Sequence, residues 1–146
     1  MEQDFQIRAI RLEDASDIQR ISQAISGDVA EIDFKKFIDH KIRHGEQQTC
    51  LVAVVDNNVA GYMFSNILHA GFGLKKSAWI VTMGVDPDCM GNGIGLKLAK
   101  AIFEVYRNKG IEHIYSSVMW DSIDLLSFFK KMGFERSDFI NLRKQL

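Results

Sequence analysis

Apolar and polar positions alternate in the opening "FQIRAIRL", a strand pattern. The pattern then changes to helical spacing. In "EDASDIQRISQAI", Ile18, Ile21 and Ile25 fall on one stripe, Asp14 is placed to cap the start, and Gly27 ends the run. "EIDFKKFIDHKIRHG" repeats the theme, with Phe34, Phe37, Ile38 and Ile42 on one side and Gly45 at the end. "TCLVAVV" and "VAGYMFSNIL" are strands joined by Asp56-Asn57-Asn58, residues that tolerate the positive φ of a tight hairpin. "HAGFGLKKS" is a flexible loop, and "AWIVTMGV" is nearly all apolar, hence a central strand. A glycine-rich segment follows. Beyond it Leu98, Ile102, Val105 and Tyr106 mark a helix that ends at Lys109-Gly110. "IEHIYSSVMW" is a fifth strand and "DSIDLLSFFKKMGF" a helix begun by Asp121 or Ser122 and stopped at Gly133. "ERSDFINLRKQL" is a last strand. Hairpins and a crossover helix together require a mixed sheet covered by helices, in one domain over residues 1–146.

Composition narrows the function classes. A formal net charge of −1 gives no bulk attraction for nucleic acid. The charged start lacks the layout of a signal peptide, and the apolar runs are too short to span a membrane, so a cytoplasmic location is expected. Cys50 and Cys89 form no CxxC pair; a buried thiol and a small loop residue are the expected roles. His40 and His44 stand four apart on one helix, which is metal-pair spacing, but no third ligand is evident and no metal is expected. With Lys35, Lys36, Lys41 and Arg43 they read as a solvated basic face.

The chemistry concentrates in Met90-Gly91-Asn92-Gly93-Ile94-Gly95-Leu96, between the buried strand and a helix N-terminus. Such a terminus offers unpaired amides and a partial positive charge, and glycines let a phosphate approach them. The dinucleotide fingerprint G-x-G-x-x-G fails because its third glycine falls at Leu96. The P-loop fails because Gly95 is followed by Leu96-Lys97-Leu98.

Two motifs together resemble the GNAT N-acetyltransferases. One is Val85-Asp86-Pro87 followed by Met90-Gly91-Asn92-Gly93-Ile94-Gly95, against that family's Q/R-x-x-G-x-G/A loop. The other is Phe128-Phe129-Lys130-Lys131-Met132-Gly133-Phe134, against its F-Y-x-x-x-G-F. The resemblance covers essentially the whole chain. It implies a mixed, mostly antiparallel α/β (α+β) sheet of six to seven strands with about four helices. It implies acetyl-CoA as cosubstrate, with the amides of Gly91 to Leu96 on the pyrophosphate. The backbone of Met83 and Val85 would pair with pantetheine, and an amide near Met83 would polarise the thioester. Gly84 would ease a splaying of strands there.

The chain departs from that family at three places. Met90 replaces the usual Gln or Arg. Phe129 stands where a tyrosine often protonates the departing sulfur. Trp79 falls near the position where some members carry a basic glutamate. Candidates for the proton chemistry are therefore Asp121, whose bland reading is a helix N-cap, and His113, whose bland reading is a solvent-facing strand residue, with Thr82, Ser117 and Asp124 as the other polar groups. Asp28 and Glu31, in the connection of the first two helices, are placed to greet a cationic amine, or Asp28 or a neighbour caps the second helix. Trp120 lines the acceptor pocket or the core, and "GFG" around Phe72 is a flap or a plain hairpin loop. The expected activity is direct acetyl transfer to a primary amine, from a small molecule or a protein, in a ternary complex. The alternative is a non-catalytic acyl-CoA-binding or regulatory module. Exposed C-terminal strands leave a homodimer open.

Overall fold

The structure is a computed structural model that describes residues 4–28, 31–69 and 71–146. Met1 to Gln3, Val29 and Ala30 of the first helix connection, and Ala70 of the "HAGFG" loop lie outside the described residues. The elements in chain order are β1 (Gln6–Ala9), α1 (Ala15–Ser26), α2 (Phe34–Arg43), β2 (Cys50–Val55), β3 (Asn58–Leu68), β4 (Ser77–Val85), α3 (Ile94–Asn108), β5 (Ile114–Tyr115) and α4 (Ile123–Lys131). The chain divides into two compact units, residues 1–116 and 117–146.

The first unit holds one sheet of five strands in the order β1-β2-β3-β4-β5. The first four pair antiparallel and β5 joins β4 in parallel. The hairpin between β2 and β3 turns on Asp56 and Asn57, with φ of 49° and 65°. On one face α1 and α2 bury Ile18, Ile21, Phe34 and Ile38 against Cys50, Val52, Tyr62 and Phe64. The rings of Phe34 meet Tyr62 and Phe64 edge-on at 6.0 Å. On the other face α3 buries Ile94, Leu98, Ile102 and Tyr106. Among the described residues no helix is long and apolar enough to cross a membrane.

Several expectations are corrected. Among the described residues the sheet has five strands, not six to seven, and residues 135–146 form none. Their backbone is engaged locally instead: the Phe139 amide donates to Ser137 Oγ, and Ser137 Oγ donates to the Phe139 carbonyl. Such short side-chain bonds compete with a ladder. The strand basis for a homodimer falls with them. β5 is two residues rather than ten, because Ser116 Oγ donates to the Ile80 carbonyl at 3.2 Å where a ladder bond would come.

Asp14 does not cap α1. It is buried, paired with Arg8 through two 2.8 Å bonds, and accepts from the Arg11 amide. Asp33 caps α2 by accepting from the Lys36 amide. Ile25 is 48% exposed, since α1 is in its last turn there. Lys41 leaves the solvated face. It is 3% exposed and donates to Thr49 Oγ1, the Ser65 carbonyl and Glu46 at 3.1, 3.0 and 3.3 Å. Those acceptors let α2 bury an ammonium.

The second unit, residues 117–146, is built on α4. Ser122 precedes the helix and Gly133, at φ 89°, ends it. The Gly133 amide donates to the Lys130 carbonyl and the Phe134 amide to the Phe129 carbonyl. This is the Schellman arrangement, completed by the Phe129 and Phe134 rings 4.9 Å apart. The spacing of the F-F-K-K-M-G-F motif thus has a structural cause: glycine reverses the chain and returns Phe134 onto Phe129.

Candidate functional site

β4 leads into the glycine segment through a rigid corner. Asp86, at φ −53° and ψ 127°, avoids the helical region that a following proline disfavours, and its amide donates to the Ala60 carbonyl at 2.7 Å. Its carboxylate accepts from the Asp88 amide and from Arg20 on α1, each at 3.0 Å. These bonds, the amide foremost, hold the Asp86 carboxyl below the ordinary aspartate pKa. One 3-10 turn, Pro87–Cys89, follows. Asn92 Nδ2 then donates to the Cys89 carbonyl at 3.0 Å and closes the loop on itself.

The last residues before α3 require glycine. Gly91 has φ 87° and Gly93, the N-cap, φ 75°. A β-carbon on either would meet nothing within 4 Å, so the space before the helix is open. The Lys97 amide donates to the Gly93 carbonyl at 3.0 Å. By helix geometry the amides of Ile94, Gly95 and Leu96 precede Lys97, the first intrahelical donor, and have no acceptor within the helix. They point out of the N-terminus with the positive end of the macrodipole behind them, an arrangement that suits an anion. Met90 projects its side chain to solvent and adds no donor.

Close packing seats this turn. A β-carbon on Gly61 of β3 would lie 2.7 Å from Ile94 Cγ2 and 3.3 Å from the Gly84 carbonyl oxygen. β4 bulges at Val81, since Phe64 pairs with Thr82 and Ser65 with Ile80. This bulge lies in the β3–β4 pairing, three residues before Gly84. Gly84 has a packing reason to be glycine: its β-carbon would fall 2.8–2.9 Å from the ring and hydroxyl of Tyr62. The β4–β5 ladder contains only Ala78–Ile114 and Trp79–Tyr115. Met83 and Val85 lie beyond it, on the part of β4 that leads into the glycine loop.

The remaining candidates separate. The His113 carbonyl accepts from the Ala78 amide, at the opposite end of β4. Met83 is about 16 Å farther along at strand rise, so His113 is not brought to the loop. Asp28 and Glu31 are exposed, and Glu31 lines an open groove of about 450 Å³ with Ser16, Gln19 and Asp33. Asp121 is exposed and Trp120 is 88% exposed in the second unit, where Phe129 is buried against Phe128 and Phe134. Phe72, at φ 57°, is fully exposed. The His40 and His44 rings lie 4.1 Å apart, and His44 Nδ1 is spent on the His40 carbonyl. Among the described residues no group of three His, Cys, Asp or Glu could hold a metal. Burial, with Asp86 and Asp88 nearby, pushes the Cys89 thiol up, away from a nucleophilic thiolate. Sequence reasoning missed Arg20, Gly61 and Tyr62, whose roles depend on partners from distant strands and helices.

Known acetyltransferases are similar to this chain in sequence and fold. A mycothiol acetyltransferase of Saccharomonospora viridis is 29% identical over 83 residues, covering 55% of this chain and 27% of that protein. The chain thus spans about a quarter of that relative's length. N-alpha-acetyltransferase 30 of Schizosaccharomyces pombe is 25% identical over 120 residues, covering 82% of this chain and 78% of that protein. The fold matches yncA of Salmonella typhimurium, solved with its cofactor acetyl-CoA, at a TM-score of 0.72 and 18% identity, over 90% of this chain and 79% of that one. The family model for the acetyltransferase (GNAT) family matches residues 12–134, across both compact units, and the chain belongs to that family.

Proposed function

We propose that the protein is an N-acetyltransferase that moves the acetyl group of acetyl-CoA onto a primary amine by direct attack in a ternary complex. The observation that carries this reading is the left-handed pair Gly91 and Gly93 opening free space before the unpaired amides of Ile94 to Leu96. Those amides, with the backbone of Gly91 to Gly93, would hold the pyrophosphate. The stretch Met83–Val85, past the end of the β4–β5 ladder, would take the pantetheine as an added strand edge. An amide near Met83 would polarise the thioester carbonyl, where negative charge develops on attack.

Direct transfer fits the thiols. Cys50 is buried and Cys89 sits in the phosphate loop, and both are held protonated. With phenylalanine at 129, the sulfur leaves without a hydroxyl from that position; thiol pKa values near 8.5 make this tolerable near neutral pH. Asp28 and Glu31 are proposed as the attraction for a cationic acceptor, and Trp120 as an acceptor contact. One relative, matched over 82% of this chain and 78% of its own length, is an N-alpha-acetyltransferase. A protein α-amine is therefore the first acceptor to try, in the cytoplasm where acetyl-CoA is made available.

The experiment is a thiol-release assay with acetyl-CoA and a panel: a short peptide with a free α-amine, spermidine and kanamycin. Amine-dependent thiol release with one of them is the expected result. Binding of acetyl-CoA without turnover on any broad amine panel would instead favour a binding module.

A further inference from the structure

Tyr62 stands in the middle of β3 with its ring under α1 and α2. Its register partner on β4 is Gly84, and Thr82 pairs with Phe64, so Tyr62, Thr82 and Gly84 share one sheet face. The phenol leans across the missing side chain of Gly84, with its hydroxyl oxygen 2.9 Å from where that β-carbon would be. The side chains of Ser22 on α1 and Thr82 on β4 flank that hydroxyl and interact with it electrostatically. Ser22 and Thr82 are half-buried while Tyr62 is buried. Three hydroxyls from α1, β3 and β4 thus run in a chain beside Met83, where the reacting carbonyl is placed. Packing does not require the middle oxygen, because phenylalanine fills the same ring volume. Meanwhile β4 carries no carboxylate between Ser77 and Val85.

We propose that Thr82, Tyr62 and Ser22 form a hydroxyl relay that takes the proton from the acceptor ammonium, with Thr82 meeting the amine. The inference rests on the acetyltransferase reading. The ammonium nitrogen gives one proton to Thr82 Oγ1. Thr82 passes its own to Tyr62 Oη, Tyr62 its own to Ser22 Oγ, and Ser22 its own to water. Each hydroxyl ends as it began. The freed amine attacks the carbonyl carbon, the N–C bond forms, and the C–S bond breaks with its electron pair on sulfur. The second nitrogen proton goes to that sulfur, which leaves as the thiol. Burial raises the Tyr62 pKa, so the phenol stays protonated and passes protons on rather than storing charge.

The test is the pH profile of kcat/KM for Tyr62→Phe and Thr82→Val with the fastest acceptor of the panel. Calorimetric acetyl-CoA affinity and Tm are measured on the same proteins. Both variants are expected to lose about tenfold or more near pH 7. That deficit shrinks toward parental rates once the pH exceeds the acceptor's own pKa, where the amine is already neutral. Coenzyme affinity stays within about twofold of the parent. An unchanged rate at pH 7, or a deficit constant across pH, overturns the relay and leaves the acetyltransferase reading standing. A parent chain that binds no acetyl-CoA overturns that reading and the relay with it.

Discussion

Gly61→Ala probes the seat of the phosphate loop without touching the loop. The new β-carbon would lie 2.7 Å from Ile94 Cγ2, where carbon contacts normally begin near 3.5 Å. About 0.8 Å must be found. Ile94 yields little, because its β-branched χ1 is fixed in a helix. The Gly84 carbonyl, 3.3 Å away, blocks retreat toward β4. Overpacking of this kind costs about 1–3 kcal/mol, or roughly 2–12 °C in Tm for a chain of this size. Relief comes by lifting the first turn of α3, so acetyl-CoA affinity falls together with stability. Adding Ile94→Ala removes the obstructing methyl. The double variant is then expected to lie above the sum of the single losses by about 1 kcal/mol or more. Calorimetric scanning and acetyl-CoA titration of the four proteins read both quantities. A Gly61→Ala variant with parental Tm and affinity, or strict additivity in the cycle, would refute the packing argument.

Further outcomes follow from the charged groups. Lys41→Met should lower stability by about 2–4 kcal/mol in urea unfolding, because Thr49 and the Ser65 carbonyl lose a buried donor; in the native parent, acetic anhydride should label Lys41 after every other described lysine, as read by mass spectrometry. Asp86 has a depressed pKa, so its contribution to stability is full above the ordinary aspartate value near 3.9 and is lost as pH falls through its lower folded value. Asp86→Asn should therefore flatten the acid limb of a Tm-against-pH curve below about pH 4, and an unchanged limb would place the acid sensitivity elsewhere.

Local signals carried most of this fold. The 3.6-residue stripes of Ile18 and Ile21, and of Leu98, Ile102 and Tyr106, are buried as spaced. The Asp56-Asn57 pair turns where positive φ is tolerated. The glycine loop was legible because a helix N-terminus and glycine spacing are both local features. What failed was non-local. Residues 135–146 carry apolar and polar positions that read as a strand, yet they form none, and at Ser137 the side chain bonds the Phe139 amide locally. Lys41 looked solvated because its acceptors, Thr49 and Ser65, come from 8 and 24 residues away. Asp14 has the chemistry of a cap, yet Arg8 on the neighbouring strand claims both its oxygens. Tyr62 gave no sign in a largely apolar strand; only the register that sets it opposite Gly84 exposes its role.

The central claim is that the glycines before α3 clear space for the phosphates of acetyl-CoA. It is tested most directly by calorimetric titration of acetyl-CoA into the parent, Gly93→Ala and Gly93→Glu. Both variants carry the strain of a side chain at φ 75°, but only the second sets bulk and negative charge before the amides. The account predicts binding by the parent, a modest weakening in Gly93→Ala and loss of detectable binding in Gly93→Glu, all three folded by their thermal transitions. A folded parent that binds no acetyl-CoA, or a Gly93→Glu chain that binds as the parent does, would contradict it.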